Sequence, residues 1–135
     1  LNPTDRIDQE RALDSSQFYA KIRERNQARA SERAQFVKDR VAEIAAMSPG
    51  EMEGCTHLPQ INAVEPNSLV CEKCVAQGDT WVTLRLCMIC GNVGCCDNSK
   101  NTHARKHSDE TGHPIIMSFE PGEDWLWCYA DEKSF

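Results

Sequence analysis

From Tyr19 to Ile44 the chain contains neither glycine nor proline, and alanine, arginine, glutamate and glutamine dominate. Tyr19, Ile22, Ala30, Ala34, Val37, Val41 and Ile44 recur at intervals of three, four and eight, with Asn26 filling the gap. This pattern predicts one amphipathic helix. Asn2-Pro3-Thr4-Asp5 is a start signal, with Thr4 or Asp5 as N-cap, and Asp14-Ser15-Ser16 can restart or kink the helix. The stripe is narrow, suited to a shallow docking face or a coiled-coil seam. It reads either as a solvated arm or as a helix that binds a partner. Alone it would not hold a long helix firmly. Ser48-Pro49-Gly50 ends the helical pattern, and residues 48–54 read as a linker.

Beyond residue 54 the pattern changes. Pro66-Asn67 marks a loop, and Thr80 to Leu86 alternates in the manner of a strand. Cys71 to Cys74 and Cys87 to Gly91 read as tight knuckles. Ser99 or Asn101 can cap a helix running to about Ser108, with Gly112 just beyond its end. Pro114 to Phe119 and Trp125 to Tyr129 read as antiparallel strands around a turn at 120–123. The class is α+β: a small domain with a few-stranded antiparallel sheet and one main helix, preceded by a helical arm. The divisions are 1–47 (helical extension), 48–54 (linker) and 55–135 (sheet-bearing domain).

Charge narrows the function. Fifteen basic residues face 21 acidic ones, for a net charge of −6. The second part is acidic, with six basic and 11 acidic residues over 55–135. That disfavours a general nucleic-acid role. No stretch approaches the roughly 20 apolar residues of a membrane span, although a partner could be a membrane protein. No secretory leader is visible.

The chemistry is concentrated in cysteine and histidine. Cys87 and Cys90 form a CxxC, Cys95 and Cys96 a dipeptide, and His103 and His107 lie four apart on one helical face, with His113 beyond. Upstream stand Cys55-x-His57 and Cys71-x-x-Cys74; downstream stand Cys128 and Asp131. Interleaved cysteine and histidine supply tetrahedral zinc sites, whereas disulfide scaffolds need no histidine. Seven cysteines, four histidines and Asp131 make twelve ligands, enough for three zinc ions, with one cysteine over. Thiols on zinc suit a reducing compartment, and the expected location is cytoplasmic.

The ordered series CTHL (55–58), CEKC (71–74), CMICGNVGC (87–95), HARKH (103–107), TGHPI (111–115) and WCY (127–129) resembles the UBP-type zinc finger, over about three-fifths of the chain. The run SFEPGEDWLWCYADE at 118–132 resembles its bacterial branch. The resemblance implies three ligand groups. Cys71, Cys74, Cys95 and His103 form one; Cys87, Cys90, His107 and His113 form an interleaved second. Cys55, His57 and Cys128 form a third, where Asp131 occupies the place of a fourth, cysteine ligand in some members; the alternative fourth ligand is water. Cys95 is preferred to Cys96 because Gly91-x-x-Gly94-Cys95 follows the family spacing. Cys96 is left over as a buried residue or a redox thiol.

In ubiquitin-binding members of that family, an arginine two residues after this cysteine holds the terminal carboxylate of the ubiquitin tail. Here the position is Asp97. The position two before the first CxxC cysteine is commonly tryptophan; here it is Arg85, and Trp81 lies six before. Trp127 and Tyr129 match aromatic walls of the tail pocket. With no open metal position, no nucleophile triad and no phosphate loop, the chain is expected not to be an enzyme. The expected function is a non-catalytic, zinc-binding protein-interaction module. It would be an accessory subunit or tether docked on a larger protein through Tyr19, Ile22, Val37, Val41 and Ile44. The alternative is a binder of a ubiquitin-like or other C-terminal tail, disfavoured by Asp97. The partner is a protein whose identity the sequence does not give.

Overall fold

Alternation along short strands decides which side chains meet in this fold, and a computed structural model describes residues 15–135. Five strands, β1 (Leu84–Cys87), β2 (Val93–Cys95), β3 (Ile115–Ser118), β4 (Leu126–Cys128) and β5 (Lys133–Ser134), form one antiparallel sheet in the order β2-β1-β3-β4-β5. Leu86 pairs with Met117 and Met117 with Leu126, so one face gathers Leu84, Leu86, Ile115, Met117, Leu126 and Cys128, all fully buried. The opposite face carries Arg85, Ile116 and Trp127 across three neighbouring strands.

Among the described residues, four helices and one 3-10 turn surround the sheet: α1 (Ser15–Ala28), α2 (Ala30–Ala46), a turn at Leu58–Gln60, α3 (Glu72–Gln77) and α4 (His103–Thr111). Helix α4 lies against β2. A side chain at Gly94 would stand 2.7 Å from the Ala104 backbone nitrogen, so only glycine allows this approach. Gly112 ends α4 in the left-handed conformation, at φ 75°, as expected of a C-terminal glycine.

Several expectations are corrected. The start signal at Asn2 to Asp5, and Asp14, lie outside the described residues. The helix expected from Tyr19 to Ile44 is two helices, broken at Arg29 (φ −107°, ψ 17°). No breaker residue sits there; each segment is fastened separately to the domain behind it. The strand expected at 80–86 begins only at Leu84, because Trp81 turns inward and Val82 donates its N–H to Ser99 Oγ. Ser99 and Asn101 do not cap α4. The N-cap is Thr102, with no side-chain cap bond, while Asn101 binds Asp79 and the Cys74 sulfur. The first CxxC knuckle continues into α3, and β2 and β5 were not anticipated.

The helical arm packs on its own domain. Tyr19, Val37 and Ile44 are buried in the common core, with Ile22 and Val41 packed against its margin. Ala30 and Ala34, by contrast, are exposed. The inward face runs through Asn26 and Arg33, each only 4% exposed. Asn26 donates to the Leu69 carbonyl at 2.7 Å. The Arg33 guanidinium donates to the Glu123 and Glu120 carbonyls at 2.6 and 2.7 Å. Arg25 reaches both carboxylate oxygens of Glu120, and that carboxylate also accepts the Leu84 N–H. Tyr19 stacks on Trp81 with ring centroids 5.7 Å apart, and its hydroxyl donates to the Asp79 carbonyl at 2.8 Å. These buried donors find backbone partners, as buried polar groups must. No helix among the described residues is long and apolar enough to cross a membrane.

Candidate metal centres and groove

Among the described residues, three groups of four side chains that could hold a metal ion converge, the donor atoms of each lying within 4.8 Å of one another: Cys71, Cys74, Cys95 and His103; Cys87, Cys90, His107 and His113; and Cys55, His57, Cys128 and Asp131. Local structure explains each. Cys71 is the N-cap residue of α3 and Cys74 lies one turn on. Cys95 ends β2, and His103 opens α4. Cys87 ends β1, and His107 rises one turn above His103 on α4, so this helix serves two groups. The third group joins the segment before the 3-10 turn to the end of β4 and the turn that follows it.

The spacings suit tetrahedral zinc. Zn–S bonds of about 2.3 Å and Zn–N bonds of about 2.0–2.1 Å set neighbouring ligand atoms about 3.8 Å apart for sulfur pairs and about 3.6 Å for sulfur with nitrogen. In the first group Cys74 and Cys95 sulfurs are 3.8 Å apart, and His103 Nδ1 lies 3.2, 3.3 and 3.5 Å from Cys71, Cys74 and Cys95. In the second, His107 presents Nε2 to Cys90 at 3.3 Å and His113 presents Nδ1 to Cys87 at 3.7 Å. In the third, Cys128 Sγ lies 3.7 Å from His57 Nδ1 and 3.6 Å from Asp131 Oδ2, but His57 and Asp131 stand only 2.8 Å apart.

The environments differ. All four residues of the first group are buried, and the His103 N–H donates to Cys95 Sγ at 3.2 Å. Burial pushes the Cys55 and Cys87 thiols up to about 11. Hydrogen bonding to Cys71 and burial raise Cys95, while that same bond lowers Cys71. A cation among them inverts this preference, because it binds the thiolate and releases the proton. Hydrogen bonds from Cys55 and His57 hold the Asp131 carboxyl below the usual range. Cys96 points away from the first group: it is buried, with its sulfur 3.3 Å from Ser99 Oγ.

The residues singled out for partner contact divide. Arg85, Asp97, Trp127 and Tyr129 line one groove of about 180 Å³, together with Asn98 and Trp125. Trp81 does not reach it, being packed under Tyr19 and Phe18. Tyr19, Ile22, Val37, Val41 and Ile44 face the chain's own core, not an outside protein.

Asp97 is not a bare carboxylate. Arg105 grips it through Nε at 3.0 and 3.1 Å and through a terminal nitrogen at 2.6 Å, while lying 4.8 Å over the Tyr129 ring. Arg85 lies 4.7 Å over Trp125 and donates to the Leu84 carbonyl. Burial raises the Tyr129 hydroxyl well above its ordinary range, so it stays protonated. Arg105 and Trp125 were not read as groove residues. Arg105 lies eight residues from Asp97 in a helix whose register with the groove only the folded chain reveals.

The family described as Zn-finger in ubiquitin-hydrolases and other protein matches residues 71–135. The chain is 37% identical over 60 residues to the NAD-dependent deacetylase sir2A of Dictyostelium discoideum, covering 44% of this chain and 10% of that protein. It is 36% identical over 69 residues to BRAP2 RING ZnF UBP domain-containing protein 2 of Arabidopsis thaliana, covering 51% of this chain and 13% of the relative. The chain thus spans only about a tenth of the length of these curated relatives. A Rhodopseudomonas palustris protein solved by solution NMR is 51% identical, with a TM-score of 0.57, over 61% of this chain and 80% of that one.

Proposed function

We propose, from the premise that residues 71–135 belong to the UBP-type zinc-finger family, that this chain is a non-catalytic protein-interaction module stabilised by three zinc ions. Its ligands would be the three groups described, with Asp131 as the fourth donor of the third. Zinc supplies folding free energy here by joining segments distant in sequence. Each group offers four protein donors, leaving no open coordination position for a reacting water.

The observation that carries the reading is the groove. Aromatic side chains are enriched where proteins bind one another, and here Trp125, Trp127 and Tyr129 line the groove with Arg85, whose guanidinium lies over the Trp125 ring. With Asp97 held by Arg105, the groove's cationic wall is Arg85. We read the partner as an extended protein segment bearing a carboxylate, from a C-terminus or an acidic side chain, which a guanidinium recognises by charge-assisted hydrogen bonds. The charge repulsion expected of Asp97 is thereby reduced. An accessory role through the arm would have to use its outer surface, because the inward stripe is engaged by the domain itself. A reducing compartment, such as the cytoplasm, suits a chain that holds its thiols on metal.

The test is an NMR titration of the zinc-loaded protein with an acidic peptide ending in a carboxylate and with its C-terminal amide. Shifts are expected at Arg85 and 125–129, weakened by Arg85→Ala. Shifts confined to the outer surface of α1 and α2 would support the docking arm and overturn the groove.

A further inference from the structure

We propose that Cys55, His57, Cys128 and Asp131 form an exchangeable zinc site whose occupancy positions the aromatic wall of the groove. The inference rests on the three-ion reading above and adds regulation to it.

Four observations support it. First, the donor set differs. The buried first group has three sulfurs and one nitrogen, whereas the third has two sulfurs, one nitrogen and one carboxylate oxygen. Thiolate is the softer, better zinc donor, and a carboxylate in its place weakens the hold. Second, the third group is open to water: the His57 and Asp131 side chains are 29% and 28% exposed, so a chelator can reach them. The second group is open as well, through the exposed Cys90, so the carboxylate donor is what sets the third apart from it.

Third, His57 Nδ1 and Asp131 Oδ2 are 2.8 Å apart, hydrogen-bond distance. A shared tetrahedral ion would hold them at about 3.4 Å, given bonds near 2.0–2.2 Å. Each is thus a ready partner for the other. A carboxylate–imidazole hydrogen bond competes with metal more strongly than the thiol–imidazole contacts of the first group. Fourth, two of the four ligands, Cys55 and His57, precede the residues matched by the family.

The coupling follows from alternation. Cys128 lies between Trp127 and Tyr129, and its sulfur faces the core while they face the groove. A metal that ties Cys128 to Cys55 and His57 fixes the end of β4 from behind. It also fastens the 53–57 segment to the β4–β5 turn, where Lys133 already donates to the Glu53 carbonyl. The first group shares no residue with this strand, so it persists when the third metal leaves.

The experiment is chelator challenge of the zinc-loaded chain, followed by native mass spectrometry and amide hydrogen exchange. At saturating zinc the protein should carry three ions. One should leave at least about tenfold faster than the other two, a difference of the size that altered ligand surroundings give metal sites. In that two-ion state, amides of 53–61 and 126–135 should exchange faster, while those of 71–75 and 93–105 stay protected. Asp131→Cys should slow the fast ion toward the others, and the nearly isosteric Asp131→Asn should hasten it. Three ions leaving in a single phase, or a fast phase unmoved by both variants, would overturn the proposal and leave the three-ion reading standing. Only two ions at saturating zinc would overturn both.

Discussion

The helical arm and the zinc-bearing domain rest on the same core, but different chemistry holds each. On the proposed reading the domain is fastened by zinc ligands that join residues as far apart as Cys71 and His103. The arm is fastened by aromatic stacking on Trp81 and by polar side chains that find backbone carbonyls: Asn26 at Leu69, Arg33 at Glu120 and Glu123. A metal site is close to all-or-none, because removing one ligand exposes the rest. The arm's contacts are graded, each worth a hydrogen bond or a packed ring. Substitutions should therefore fall into two classes.

The largest effect is expected in the domain. Cys74→Ala removes a thiolate from the fully buried group, and structural zinc carries on the order of 10 kcal/mol of folding free energy. The variant should lose cooperative melting by circular dichroism and bind at least one zinc fewer by plasma emission. A melt like that of wild type would mean Cys74 is no ligand and would remove the contrast with the arm.

The next effect belongs to the arm. Arg33→Ala deletes two hydrogen bonds from a buried charge, each worth about 1.5–3 kcal/mol. The melting temperature should fall while zinc content stays at the wild-type value. Lost zinc would show that arm and metal sites fold as one unit. Tyr19→Phe is milder. It keeps the stack on Trp81 and removes only the bond to Asp79, so about 0.5–1.5 kcal/mol is expected in denaturant melts. Smallest is Asp97→Asn. Its pair with Arg105 is 44% exposed on both sides, and exposed pairs contribute about 0–1 kcal/mol. Stability should barely move, while the groove gains positive potential and carboxylate peptides bind somewhat tighter in titration calorimetry. Weaker binding would mean that the carboxylate itself contacts the ligand.

The two regions were also unequally legible. Candidate zinc ligands stand out by type and spacing, so the convergence of CxxC at 71–74 and 87–90 with the helical pair His103 and His107 could be anticipated from the sequence. The arm's inward face could not. Its buried positions run Tyr19, Asn26, Arg33, Val37, Ile44, at steps of seven, seven, four and seven. A hydrophobic template passes over Asn26 and Arg33 and selects Ala30 and Ala34 instead, both exposed. The sevenfold step was the available signal, but polar residues in it look like surface until their carbonyl partners at Leu69, Glu120 and Glu123 are known. Strands β2 and β5 escaped for another reason: three and two residues of mixed character carry no alternation to detect. Trp81 looked like a binding residue because an aromatic near a ligand knuckle has two possible destinations, and only the arm's presence decides between them.

That seat under the arm has a consequence for assembly. Trp81 is covered by Phe18 and Tyr19 of the same chain, joined to the domain through residues 47–54. A ligand tethered by a short connection acts at an effective concentration in the millimolar range. An outside helix of equal intrinsic affinity, present at about micromolar concentration, would hold the seat only about one time in a thousand. The arm is therefore a competitor already in place, and exchange of this segment between copies should be suppressed unless protein concentration approaches the millimolar level.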